Sequence, residues 1–259
     1  MKRYSSDLTD GQWQFIEKTL NDSRKRTHSL REIWNAILYL VKTGCQWRML
    51  PKCFAHWAAV YYYFKKWKRD GTFEQVPDML NDQYRKSQGK KQSPSLGIID
   101  SQSVKASHTC SEQTGYDAGK RIKGRKRHII TDTPGCLHFV LVHAANVQDR
   151  NGIRQVLPLF KDKVLRGIKK IVADAGYSGQ PVIDWVKQNF QWQLEIVCRA
   201  EQSKFKVLPK RWIVERTFAW ISFSGRNSKD YERLTESSQS FAQLAMIRIF
   251  LNKIDKQIS

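Results

Sequence analysis

Two aspartates in this chain each close a short apolar run. Asp100 follows Ile98-Ile99, and Asp174 follows Ile171-Val172-Ala173. Runs of this length and branching read as strands, and ligands of open α/β sheets gather outside the carboxyl ends of strands. If the two strands are neighbours, both carboxylates meet at one edge. A third acid, Glu215, lies on a helix opened by Pro209 and apolar on most sides through Trp212, Ile213, Phe218 and Trp220. A glutamate on a helix packed against a sheet is costly unless it is paired or binds metal. Arg211, four residues earlier, shares its face and can neutralise it or reach a phosphate. Three oxygen ligands from separate elements suit Mg2+, which uses few carboxylates and completes its shell with water and substrate phosphate. Two such ions, with Mn2+ able to substitute, activate an attacking oxygen and stabilise a leaving one, so no serine or cysteine nucleophile is required. Taken singly, each aspartate is as easily a turn former or helix cap.

A second feature is the stretch Lys120-Arg121-Ile122-Lys123-Gly124-Arg125-Lys126-Arg127-His128. Its cations, Lys120, Arg121, Lys123, Arg125, Lys126 and Arg127, read as a track for nucleic-acid phosphates; a solvated charged loop is the plainer alternative. Asp149 fits a place near the carboxylates, but capping the following helix explains it equally well. His143 reads as structural.

The charge balance agrees with a polyanionic partner. Lys and Arg total 45 against 24 Asp and Glu, a net charge of +21, and such self-repulsion is offset by binding nucleic acid. No run of about 18 apolar residues can span a membrane, and the start Met1-Lys2-Arg3-Tyr4 lacks the apolar stretch of a signal peptide. The expectation is a cytoplasmic, nucleoid-associated DNA binder. The five cysteines are odd in number and form no CxxC pair, so reduced thiols are expected rather than zinc or disulfides.

The elements that must position these groups fall into two sets. Thr9 with Gln12 and Ser29 with Glu32 read as capping boxes opening helices, the second helix stopping at Gly44. A third helix runs from Trp57 to Trp67, and a fourth from Thr72 to about Tyr84 with Pro77 limiting its regularity. Small helices with basic ends such as Lys65-Lys66-Trp67-Lys68-Arg69 suit a helix-turn-helix DNA reader. Residues 1–84 therefore read as a helical DNA-binding leader, 85–95 as a polar linker, and 96–259 as a catalytic domain. There the expected strands are Leu96 to Asp100, Lys126 to Asp132, Leu137 to Val142, Lys170 to Asp174 and Leu194 to Cys198. Helices are expected from Asp149, Pro181 and Pro209, with a last one around Phe241 to Leu251. The order β-β-β-α-β-α-β-α is an α/β mixed sheet covered by helices.

The motifs resemble those of a known family. Gly97-Ile-Ile-Asp-Ser-Gln-Ser, Tyr116-Asp-Ala-Gly-Lys-Arg, Val172-Ala-Asp-Ala-Gly-Tyr-Ser-Gly179 and Arg211-Trp-Ile-Val-Glu-Arg-Thr-Phe218 are similar to the blocks of bacterial DDE transposases of the insertion sequence five group. Thr43-Gly-Cys-Gln-Trp-Arg-Met-Leu-Pro51 resembles that family's helical leader. The resemblance implies a ribonuclease-H-like core and a metal-binding catalytic triad of Asp100, Asp174 and Glu215. It further implies Mg2+-dependent cleavage and strand transfer on double-stranded DNA, at terminal inverted repeats and target sites, by a homodimer or higher oligomer. In the broader pattern Y-x2-R-x3-E-x6-K, Arg211 and Glu215 match, while Leu208 and Ser222 stand at the tyrosine and lysine positions. Two rivals are a DNA-binding transposase remnant without full activity and a plain nuclease of the same fold.

Overall fold

A computed structural model describes residues 4–20, 27–110, 112–163, 167–197 and 211–258. Cys198, Leu208 and the Pro209 helix start lie outside them. The leader holds four α-helices, α1 (Asp10–Glu17), α2 (Leu30–Thr43), α3 (Trp57–Arg69) and α4 (Thr72–Ser87). The capping box of α1 forms, with Thr9 Oγ1 accepting from Gln12 N and Gln12 Oε1 accepting from Thr9 N, both at 3.1 Å. The one expected for α2 does not: Ser29 sits at the cap but its side chain makes no capping bond. Burial of Ile33, Trp34, Ile37, Leu40 and Val41 holds α2 in place instead. Helix α4 passes the expected end at Tyr84, because Phe73, Val76, Pro77 and Leu80 are all buried and packing outweighs the hydrogen bond lost at Pro77. Arg85, expected to open a solvated linker, is buried. It pairs with Asp132 and donates through Nε to Lys91 O at 2.8 Å.

The sheet contains β1 (Leu96–Lys105), β2 (Gly115–Asp117), β3 (Ile122–Thr131), β4 (Leu137–Ala144), β5 (Lys170–Asp174) and β6 (Gln193–Val197). Its order is β2-β3-β1-β5-β6, with β4 also on β3. The pairs β1–β3, β2–β3 and β3–β4 are antiparallel, whereas β1–β5 and β5–β6 are parallel. Helices α5 (Asp149–Lys163), α6 (Gln180–Phe190), α7 (Arg211–Ser222) and α8 (Thr235–Ile258) complete the chain. Two expectations change. β1 does not stop at Asp100, since its pairing with β3 continues to Lys105↔Gly124, and β2 is a strand the sequence reading lacked.

Strand alternation divides the apolar residues between two faces. Ile99, Ile130, Ile171 and Ala173 pack under α5 and α6 with Ile153, Phe160, Tyr177 and Val186. Ile98, Ile129, Val140 and Val172 face the other way, in one continuous core with α7, α8 and the leader's Ile33, Trp34, Phe64 and Phe73. The result is a ribonuclease-H-like mixed sheet flanked by helices and preceded by a helical region.

Candidate active site

The parallel pairing of β1 with β5 is what assembles the site. The pairing ends at Ile98 opposite Val172, two residues before each aspartate, and both carboxylates emerge at that edge. Asp100, Asp174, Val197, Arg211 and Val214 line one narrow cleft. Burial pushes the Asp100 carboxyl up to about 7, and the neighbouring Asp174 adds to the shift. The Ser101 N–H, donating to Asp100 Oδ1 at 2.7 Å, and the charges of Arg211 and Lys120 work against it. Asp174 caps the turn Ala175–Tyr177, its Oδ1 accepting from Gly176 N at 2.9 Å.

Glu215 lies on α7 outside the cleft lining, linked to it through Arg211, and it is not a buried acid. Its side chain is 56% exposed, and Arg211 Nε lies 3.1 Å from its Oε1. Arg211 also reaches Asp174, with Nη2 3.5 Å from Oδ2. The expected cost of burying this glutamate therefore does not arise, because the helix turns its edge to solvent and Arg211 balances the charge. Among the described residues no three His, Cys, Asp or Glu side chains are gathered closely enough to hold an ion.

Asp149, an ambiguous residue in the sequence, belongs to this edge. Its Oδ1 accepts from Ser101 Oγ at 2.7 Å and lies 3.0 Å from Lys126 Nζ. Burial opposes its ionisation, yet those two donors hold its carboxyl below the usual carboxylate range. A side chain at Gly176 would have its Cβ 3.0 Å from Asp174 Oδ1 and 3.1 Å from Asp149 Oδ2. The bare glycine thus keeps open a cradle between two carboxylates. Tyr177 beneath it is fully buried, and its hydroxyl pairs with His128 Nδ1 at 3.0 Å. Burial first, and then Asp100, Asp149 and Asp174, raise its phenol well above the ordinary value. Burial and the adjacent His143 push His128 down to about 3, so that ring is neutral. The oxygen donors of Asp100 and Asp174 in one cleft, with the Gly176 cradle between Asp174 and Asp149, are of the hard type that divalent cations take.

The basic stretch divides sharply. Lys120, Arg121 and Lys123 are exposed, and Lys120 Nζ reaches Ser101 O at 3.4 Å. Arg125, Lys126 and Arg127 are 0%, 5% and 1% exposed, so the expectation that they track phosphate is corrected. They lie on β3, between β1 and β4, and bind protein. Arg125 donates to Glu112 O, Glu232 O and Arg233 O and pairs with Asp230. Arg127 donates to Asn227 O at 2.9 Å. Lys126 points to the opposite face, toward Val147 O and Asp149. Among the described residues Cys45, Cys53, Cys110 and Cys136 form no disulfide with one another.

Comparison with known proteins agrees with this geometry. Residues 91–250 match the family described as "Transposase DDE domain". Residues 8–77 match one described as "Putative transposase of IS4/5 family". A curated relative from Burkholderia cepacia, "Putative transposase for insertion sequence element IS402", is 28% identical over 155 residues, spanning 55% of this chain and 70% of that protein.

Proposed function

The chain belongs to the transposase DDE-domain family, and from that premise we propose that it binds the terminal inverted repeats of an insertion element, cuts DNA there and joins the ends to a target. Family membership makes it a transposase whose substrate is DNA and whose chemistry uses a divalent metal. The observation that supports the finer reading is the cleft lined by Asp100, Asp174 and Arg211, with Arg211 pairing to both Asp174 and Glu215.

In this reading Asp100, Asp174 and Glu215 hold the metal, Mg2+ by the hardness of its donors. A cation bound there supplies Lewis-acid stabilisation of charge on the attacking and leaving oxygens. Arg211 bridges Asp174 and Glu215 in the unloaded site, and its planar guanidinium is suited to take a phosphate once a cation balances those acids. Lys120, which reaches Ser101 O, begins a solvent-facing phosphate track that Arg121 and Lys123 extend away from Asp100. The leader, residues 1–84, supplies a second DNA surface. The exposed residues of α3 include Ala58, Tyr62, Lys65 and Arg69, spaced to share one face, and the helix carries no Asp or Glu. Assembly as a homodimer or larger oligomer on DNA brings two ends together. The test is incubation with the DNA flanking the gene and Mg2+, followed by mapping of cuts and joints. Asp100→Asn, Asp174→Asn and Glu215→Gln should each abolish cleavage while DNA binding survives. Cleavage by any of the three would remove that residue from the site.

A further inference from the structure

Lys126, Asp149 and Ser101 form a connected set outside the triad. Lys126 is 5% exposed, and its ammonium is fixed by Val147 O at 2.9 Å, Asp149 Oδ1 at 3.0 Å and Asp117 Oδ2 at 3.7 Å. Asp149 Oδ1 also takes the Ser101 hydroxyl at 2.7 Å. The Ser101 backbone N–H donates to Asp100 Oδ1, again at 2.7 Å. An unbroken line of hydrogen bonds therefore runs from a buried cation on β3, through the first residue of α5, to the carboxylate at the sheet edge. A helix cap needs none of this. Capping asks for bonds to the first turn of its own helix, whereas Asp149 Oδ1 faces β1 and β3.

We propose that Asp149, anchored by Lys126, is a positioning residue for the active site, holding Ser101 and through it the carboxylate of Asp100 in the orientation that receives the cation. The inference rests on the cation reading above and adds residues that the triad leaves out. Ligating carboxylates are ordinarily oriented by such outer partners.

The test uses the full chain and Mn2+ as the probe, with affinity read by water-proton relaxation. Ser101→Ala deletes only the hydroxyl link, so it should fold even if Asp149→Ala, which strands Lys126, does not. Each should weaken Mn2+ binding roughly 10- to 100-fold, and the double variant should be no worse than Asp149→Ala alone, since both cut one line. Asp149→Asn keeps an oxygen that accepts from Ser101 and Lys126, so it should bind within a few-fold of the parent. Unchanged affinity in folded Ser101→Ala, or losses that multiply in the double variant, would overturn the proposal. So would Asp149→Asn as damaging as Asp149→Ala. If the parent protein takes up no Mn2+, the cation reading fails separately. Hydrogen exchange then decides the positioning claim: the Ser101 amide should exchange faster in Ser101→Ala, and equal protection refutes it.

Discussion

Asp100 offers the sharpest test of the site, through stability rather than turnover. Its carboxyl titrates near 7 in the fold against 3.8 in an exposed chain. A carboxyl raised in this way contributes its full stability below the unfolded value and loses it as pH climbs toward the folded one. The effect has a ceiling of a few kcal/mol at pH 8, about 4 kcal/mol, and is smaller, about 1–2 kcal/mol, at pH 5. Asp100→Asn removes the charge and keeps the oxygen that accepts from Ser101 N. In EDTA the variant should therefore melt higher than the parent, by a margin that grows from pH 5 to pH 8 and then levels. A domain of this size shifts by about 2–4 °C per kcal/mol, so a gain of several degrees at pH 8 is expected. Mg2+ should narrow that margin. It binds the folded parent, where ligand at about 100 times Kd adds roughly 2.7 kcal/mol, and gives the asparagine variant little. Differential scanning calorimetry across this pH range, with and without Mg2+, reads both effects. An asparagine variant no more stable than the parent at pH 8, or one whose advantage is the same at every pH, refutes the argument that Asp100 is a buried charge lacking a counterion.

Other outcomes follow from the same geometry. Arg125→Met leaves Asp230 buried without its partner, and breaking such a pair costs about 3–5 kcal/mol; a melting point within a degree of the parent would show that Arg125 is not structural. Replacing Lys65 and Arg69 of α3 by alanine should flatten the slope of log affinity against log salt by up to about two units on duplex DNA, and an unchanged slope would place DNA on another face. Ser222→Lys puts a cation on α7 two turns after Glu215, and a charge-assisted phosphate contact is worth about 1.5–3 kcal/mol. Filter binding to the element's ends should then tighten roughly tenfold or more; unchanged affinity in a folded variant means the end is held elsewhere. Arg226 is not that place, being buried against Glu232 and Cys45 O, while Lys229 is exposed.

The sequence carried the acids of the edge but not their surroundings. An apolar run closed by aspartate marks a strand and its ligand-facing region, so Asp100 and Asp174 stand out without any structure. Glu215 was reached from the apolar sides of its helix, which imply packing on the sheet, but that reading expected it buried, whereas its side chain is 56% exposed. The misreading of Arg125, Lys126 and Arg127 has a physical origin. Charge density suggests solvent, yet β3 is a central strand covered on both faces, and its alternation sends Arg125 and Arg127 one way and Lys126 the other. The groups that receive Arg127 and most of those that receive Arg125 lie about a hundred residues later, at Asn227, Asp230 and Glu232. No local pattern announces a pairing of that length. Gly225 was opaque for the same reason. A Cβ there would lie 2.8 Å from Thr43 C at the end of α2.

That glycine contact bears on how the leader and the sheet work together. Gly44 ends α2 in the left-handed region at φ 73°, and a Cβ on it would meet Gly225 C at 2.8 Å. The end of α2 therefore rests directly on the turn that leaves α7, the helix bearing Arg211 and Glu215. Arg226 in that turn ties back to Cys45 O at 3.0 Å. On the other flank Arg85 of α4 pairs with Asp132 at the β3–β4 turn, and Asn81 donates to Leu137 O at 2.8 Å. Burial holds Asp132 against ionisation less than His138 and Arg85 favour it, so its carboxyl stays below the usual range and the pair remains charged. Breaking a buried charged pair of this kind costs several kcal/mol, and the apolar core between these anchors is shared. The N-terminal helices thus pack on the rest of the chain both at the turn after α7 and at the β3–β4 turn. DNA gripped on α3 would be held at a set distance from Asp100 and Asp174, and substitutions at Gly44 or Gly225 should disturb the active-site helix without touching a carboxylate.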